Sequence, residues 1–156
     1  AIMRAAPLEA DAAIPTTRAP QAFTALKEDC MFSHIMIGTN DLQKSKAFYD
    51  AVLGTLGVPA GFVDKNRVFW KTPEGVFSVS KPINDAPATA GNGSTFGFAC
   101  SSPEQADAWH AAGVANGGST CEDAPGVREG PSGKLYLAYL RDPDGNKLCG
   151  LHRMAK

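Results

Sequence analysis

Residues 32–57, FSHIMIGTNDLQKSKAFYDAVLGTLG, read in order as strand, cap, helix and stop. Residues 32–38 form a short apolar run bounded by polar residues, the mark of a strand. Thr39, Asn40 and Asp41 offer a helix N-cap. Over residues 42–56, Phe48, Val52 and Leu56 fall on one helical face, with Tyr49 and Leu53 beside them. Gly57 stands where a left-handed C-terminal cap belongs. Residues 62–71 and 76–81 then read as strands around the turn Thr72-Pro73-Glu74-Gly75.

The same text is written twice. Residues 94–100 read as a strand, and Ser102, Pro103 and Gln105 supply a cap, a first-position proline and a polar third position for a helix over 103–116. Ala106, Trp109 and Gly113 share one face of that helix, and Gly117-Gly118 ends it. Residues 135–141 and 146–153 read as strands around Asp142-Pro143-Asp144-Gly145. The caps Asp41 and Ser102, the aromatics Phe48 and Trp109, and the stops Gly57 and Gly118 are each 61 positions apart, and the two turns are offset by 70. The stretch 83–93, INDAPATAGNG, separates the copies. The expected organisation is a module over about 31–83, a linker over about 84–93 and a second module over about 94–153. Two such units bury their exposed sheet faces against each other around a shared cavity, where sites tend to lie.

Bulk properties fit one domain of two half-domains. The chain has 156 residues, 44% hydrophobic and 20% charged, close to the globular average. At this length roughly 68–70% of the unfolded surface is buried on folding, so no disulfide or metal is needed for stability. A net charge of −1 leaves no basic surplus for a phosphate backbone, so nucleic acid is excluded as the expected partner. Apolar runs are far shorter than the roughly 20 residues of a membrane helix. Cys30, Cys100, Cys121 and Cys149 form no CxxC pair, and no signal peptide is evident, so they read as free thiols of a cytoplasmic protein. Residues 1–30 are rich in Ala and Pro and read as a mobile arm or an expression remnant, or as an arm anchored by Leu8, Phe23 and Leu26; Met31 is a candidate natural start.

Two stretches carry a resemblance: His34-Ile35-Met36-Ile37-Gly38-Thr39-Asn40-Asp41-Leu42 through Ser45, Phe48 and Tyr49, and Tyr139 through Leu148 with its RDPDGN turn. With the repeat, they resemble the vicinal oxygen chelate superfamily of glyoxalase I, bleomycin resistance proteins and extradiol dioxygenases. The resemblance implies an α+β fold of two tandem βαβββ modules forming a cup-shaped mixed sheet. It also implies a divalent metal held in the cup by four strand residues, polarising vicinal substrate oxygens, and a homodimer, in some relatives made by exchanging modules. The four ligand positions carry over onto His34, Ser78, Thr95 and Cys149. Only His34 is an ordinary ligand for such a metal, and no carboxylate remains to act as base. A metal cofactor is therefore disfavoured, and no other cofactor is indicated.

Each candidate has a structural alternative. His34 alternates with Phe32 and Met36 and is either a cup-facing contact to ligand or metal, or a hydrogen-bonded core histidine. Cys149 is either a thiol activated beside His34 or a small buried apolar residue. Tyr139 shares a strand face with Leu137 and Arg141, opposite to Tyr136 and Ala138, and its hydroxyl is a candidate for orienting a ligand. Arg141 is expected to brace the Asp142 turn through a carboxylate. Trp70 is either an aromatic wall for a ligand or core. His110 is expected on the helix surface, and His152 is expected to face away from the cup. The stretch 122–133, EDAPGVREGPSG, is expected to be a polar loop, with Arg128 solvated or drawing an anionic ligand.

Three readings follow. One is a glyoxalase-like enzyme with a degenerate metal site, of the lactoylglutathione lyase or dioxygenase kind, acting on a small oxygen-rich molecule. The second is a ligand-sequestering protein of the bleomycin resistance type. The third is thiol chemistry at Cys149.

Overall fold

The computed structural model describes residues 31–131 and 133–155; Leu8, Phe23, Leu26 and Cys30 lie outside the described residues. Module 1 runs β1 (His34–Gly38), α1 (Leu42–Gly54), β2 (Phe62–Asp64), β3 (Arg67–Thr72) and β4 (Gly75–Ser80). Module 2 runs β5 (Phe96–Ala99), α2 (Pro103–Ala115), β6 (Ser119–Thr120), β7 (Gly126–Gly130), β8 (Gly133–Arg141) and β9 (Lys147–Arg153). Sheet order is β1-β4-β3-β2 in one module and β5-β9-β8-β6 in the other, with β7 also on β8. In each module the first strand pairs in parallel with the last, and the other pairs are antiparallel. The repeat is thus a repeat of topology.

The predicted caps form as the sequence implies. The Asp41 carboxylate accepts from the Gln43 and Lys44 amides, and the Ser102 hydroxyl accepts from the Gln105 amide. Gly57 adopts φ +80°, which lets the Val58 amide return to the Leu53 carbonyl. Two expectations change. The run 62–71 is broken at Lys65, whose φ of 54° turns the chain from β2 into β3 as a hairpin. The stretch 122–133 is not all loop: β7 pairs with β8 from Gly126↔Leu137 to Gly130↔Gly133. Arg128 and Glu129 put charge on it, which suits an edge strand, and Gly133 at φ +106° permits the return.

Both helices lie on the same side of the sheets. α1 packs on β3 and β4, α2 packs on β8 and β9, and the helices pack on each other. Phe48, Tyr49, Val52, Val68, Trp70, Val79, Trp109, Leu140 and Leu148 form one buried core. Asp50 ties α1 to the sheet, accepting from the Gly61 amide at 2.8 Å and from the Trp70 indole N–H at 2.9 Å. Trp109 lies 6.1 Å from the Phe98 ring, and its indole N–H has no acceptor among the described residues. That omission costs about 1–3 kcal/mol, less than the roughly 4–6 kcal/mol expected from burying an indole.

The modules are latched by the Asp142 turn. The Tyr49 hydroxyl donates to Asp142 Oδ2 at 2.7 Å, and the Asn146 amide nitrogen reaches that carboxylate at 2.9 Å and the Gly38 carbonyl at 3.3 Å. Asp142 Oδ1 also receives the Asp144 and Asn146 backbone amides. Asp144 crosses to module 1, accepting from the Asn40 amide and side chain, each at 2.9 Å, and from the Ser45 hydroxyl at 3.1 Å. Burial pushes the Asp144 carboxyl up, but the hydrogen bonds from Asn40, Thr39 and Ser45 outweigh it and hold the carboxyl below its ordinary value. Arg141 braces the turn, but through the Gly145 carbonyl at 2.7 Å and not through a carboxylate. Gly145 stands in the turn at φ +90°, and its carbonyl supplies the acceptor.

Two predictions follow from this packing. A Cβ on Gly118 would sit 2.8 Å from both the Arg141 carbonyl and Phe48 Cε2, whereas one on Gly54 meets nothing within 4 Å. Chemical denaturation should therefore show Gly118→Ala losing about 1–3 kcal/mol and Gly54→Ala gaining up to about 1 kcal/mol. Asp144, with its folded value depressed, contributes stability that is present above its unfolded value near 3.9 and is lost as pH falls through the folded value. Asp144→Asn should flatten the acid limb of a stability–pH curve below about pH 4 relative to the parent; an unchanged limb would refute this role for the carboxylate.

Candidate functional site

Strand register sorts the site residues by face. On module 1, His34, Met36, Phe69, Lys71, Val76 and Ser78 share one face, while Ile35, Ile37, Val68, Trp70, Phe77 and Val79 share the other. The second set holds the buried residues that meet α1, so the first set looks away from the helices. On module 2, Gly97, Cys149, Tyr139, Leu137 and Leu151 share the helix-free face. Thr95, two residues before Gly97, has the same parity. His34, Ser78, Thr95 and Cys149 therefore occupy one face of the molecule, as the alternation implies.

Their chemistry differs from their placement. His34 is exposed, and its Nδ1 lies 3.0 Å from the Ser33 hydroxyl. Ser78 is buried, and its hydroxyl donates to the Ile35 carbonyl at 3.0 Å. Thr95 is exposed. Cys149 is 4% exposed, and its thiol donates to the Gly150 carbonyl at 3.7 Å. Burial pushes the Cys149 thiol above its ordinary value; a hydrogen bond with Tyr139 opposes this without overcoming it. The Tyr139 phenol is likewise raised, first by burial and then by Cys149. The Lys147 ammonium lies 4.8 Å from the Tyr139 ring centroid and pairs with Glu122. Among the described residues, no three His, Cys, Asp or Glu side chains come together as a metal-holding group. The donor set of one imidazole, a committed hydroxyl, a second hydroxyl and a buried protonated thiol does not fit a divalent metal.

The remaining candidates separate. Trp70 is 1% exposed and on the helix side, where α1 and its Asp50 acceptor draw it inward. Tyr136 faces α2 and donates to Asp107 at 2.8 Å. His152 faces the helix side with Nδ1 3.0 Å from the Cys100 carbonyl, as parity implies. His110 is half-buried on α2, 3.3 Å from the Thr120 hydroxyl, and burial lowers its value. Arg128 lies on β7, donating to the Ala124 carbonyl at 2.8 Å and lying 3.8 Å from Asp123.

A cleft opens beside His34, between β1 and β5, which stand at the ends of their sheets among the described residues. It has a volume of about 460 Å³. Trp70, Phe77, Phe96 and Phe98 line it, with Leu53 and Leu56 from the end of α1. Of these, Trp70 is the residue whose sequence reading offered an aromatic wall as well as core; nothing in the local pattern of the others places the two strand edges opposite each other.

Comparison with known proteins agrees with the fold. The family model described as Glyoxalase/Bleomycin resistance protein/Dioxygenase superfamily matches residues 31–149. The chain is similar to a glyoxalase/bleomycin resistance protein from Albidiferax ferrireducens T118, with 66% identity, 79% of this chain and 99% of that chain covered, and a TM-score of 0.78. A putative glyoxalase from Bacillus halodurans shares the fold at 20% identity, with 80% and 97% covered and a TM-score of 0.65. A glyoxalase-related enzyme from Fulvimarina pelagi does so at 19% identity, with 78% and 87% covered and a TM-score of 0.61. No curated protein sequence matches the chain. No helix among the described residues is long and apolar enough to cross a membrane.

The burial of Cys149 predicts a chemical outcome. Peptide mapping after brief alkylation of the native protein at pH 7.5 should find Cys149 labelled at least about tenfold more slowly than the half-buried Cys121. Equal rates would restore Cys149 as a candidate nucleophile.

Proposed function

Because the chain belongs to the Glyoxalase/Bleomycin resistance protein/Dioxygenase superfamily, we propose that it uses this fold to hold a small molecule between its modules without a chelated metal. The observation that carries this reading is the donor chemistry of His34, Ser78, Thr95 and Cys149. Ser78 already donates to Ile35, Cys149 is buried and kept protonated, and no carboxylate stands at the four positions. Lewis-acid polarisation of substrate oxygens needs a bound cation, and proton abstraction needs a base within reach. His34 remains as the exposed hydrogen-bonding group, suited to contacting a ligand. A glyoxalase-like or dioxygenase-like reaction is correspondingly less well supported than sequestration of a small oxygen-bearing or aromatic compound. A homodimer is compatible with this reading, because each chain supplies both modules of its own seam.

Thermal unfolding in EDTA against a panel of small molecules tests the reading. A ligand at a hundredfold excess over its Kd adds about 2.7 kcal/mol, worth several degrees in a chain of this size. The expected result is a rise in Tm that survives EDTA, with His34→Ala leaving the metal content of the purified protein unchanged. One equivalent of zinc, nickel, iron or manganese per chain, released by His34→Ala, would overturn it.

A further inference from the structure

The charged residues of the two sheets are sorted by face. Residues paired across neighbouring strands share a face, so the register places each of them. The described strands carry seven Lys and Arg residues. Six of them, Arg67, Lys71, Arg128, Arg141, Lys147 and Arg153, stand on the helix-free face with His34, Tyr139 and Cys149. The seventh, Lys134, has the opposite parity and pairs with Glu129. The same strands carry two carboxylates, Asp64 on the helix-free face and Glu129 on the other. From the segment after β6, Glu122 pairs with Lys147, and Asp123 lies 3.8 Å from Arg128. The helix-free face thus has six cations against three carboxylates, whereas the rest of the described chain has five against nine. A near-neutral chain therefore carries a local positive field on one side.

Solvent exposure explains why charge avoids the side where the core lies, but not why the exposed charge is so largely of one sign. Folding alone disfavours the arrangement. Arg141 stands directly opposite Lys147 in the β8–β9 register, and like charges placed so are destabilising. Arg67 and Arg153 are exposed, and among the described residues no carboxylate lies within ion-pair distance of either. Between the cations the face is apolar. Met36 and Phe62 are 40% and 46% exposed, and Phe69, Val76, Leu137 and Leu151 are half-buried. Both helices pack on the opposite face, so the described chain leaves this one open.

We propose that the helix-free face receives a small amphiphilic anion, a molecule with an apolar body and at least one carboxylate or phosphate group. The apolar body rests on the half-buried strand residues, and the oxyanion meets the flanking guanidinium and ammonium groups, among which Arg suits bidentate contact. The inference rests on the small-molecule reading above and names the class of ligand. Because the whole chain has a net charge of −1, attraction comes from this local field and not from overall charge, and it weakens as salt screens it.

The test uses the full chain and the fluorescence anisotropy of pyrene tetrasulfonate, whose sulfonates stand in for the oxyanion, with proflavine as the cationic ring. The parent should bind the tetrasulfonate at least about tenfold more tightly than proflavine, and binding should weaken at least about tenfold between roughly 20 and 300 mM salt. Arg67→Gln with Arg153→Gln should weaken the tetrasulfonate at least about fivefold. Lys44→Gln with Lys134→Gln removes the same net charge from α1 and from the helix side of β8 and should weaken it less than about twofold. All four side chains are exposed, so both pairs should keep the parent Tm. Pyrophosphate and citrate, which lack an apolar body, should displace the dye only at concentrations at least about tenfold above its own Kd, and their order tells phosphate from carboxylate preference. Equal weakening by the two variant pairs would overturn the proposal, because it reports net charge and not a face. Absence of binding to the parent would overturn it too, as would salt-sensitive self-association lost in the Arg67 and Arg153 pair, which assigns the face to a second copy. If the anion assignment fails in these ways while other small molecules still raise Tm in EDTA, only this inference falls. If metal is found and released by His34→Ala while the dye results hold, only the metal-free reading falls.

Discussion

The buried contact from the Tyr49 hydroxyl to Asp142 is the constraint around which the two modules are arranged. Asp142 is 4% exposed and must keep every one of its acceptor contacts. Two backbone amides, the Asn146 amide and the Tyr49 phenol meet that need. Burial first, and then the neighbouring Asp142, raise the Tyr49 phenol well above its ordinary value, so it remains a donor. A hydrogen bond to a charged group contributes about 1.5–3 kcal/mol, and removing a partner from a buried charge costs more than that. The latch therefore fixes where module 2 sits on α1 and, through Asn146 and Asp144, on the end of β1. Everything placed across the seam inherits its position from this turn.

That dependence explains why two distant stretches of sequence carry the family likeness together. Asn40, Ser45 and Tyr49 look like ordinary cap and helix residues when read alone, and the RDPDGN turn looks like an ordinary hairpin. Their types are set by each other: Asn40 and Ser45 meet Asp144, and Tyr49 meets Asp142. The strand residues next to them are under no such constraint. Positions 78, 95 and 149 lie on the helix-free side, with Ser78 and Cys149 buried there and Thr95 exposed. The fold can therefore persist while the chemistry of that face changes.

The sequence was legible where a local signal had a local cause. Caps at Asp41 and Ser102, the stop at Gly57 and the face shared by Ala106, Trp109 and Gly113 all formed as read. Parity correctly divided Tyr139 from Tyr136 and Cys149 from His152. It correctly grouped Trp70 with Val68, but the choice between wall and core depended on where α1 lay, which is a tertiary fact. β7 was hidden because an edge strand with glycine, arginine and glutamate gives a loop's composition. The break at Lys65 was hidden because a two-residue reversal leaves almost no mark in an otherwise β-prone run. Arg141 was expected to seek a carboxylate, but the nearest acceptor was a backbone carbonyl that only the folded turn presents.

The cleft was the least legible feature, because it lies where the two repeats differ and is marked by no motif in either. One extra residue in a turn lets Asn146 face the neighbouring strand, while its absence leaves Gly75 in that place. A seam latched at both ends would carry more cross-module hydrogen bonds and no such cleft. A seam latched at neither end would have to gain all its order from packing of the helices. With one end held by a buried carboxylate and the other lined by Phe77, Phe98 and Trp70, orientation and access come from different residues. The open end can then vary in shape and polarity without disturbing the contact that positions the modules, which is the condition for a shared scaffold to accommodate different small molecules.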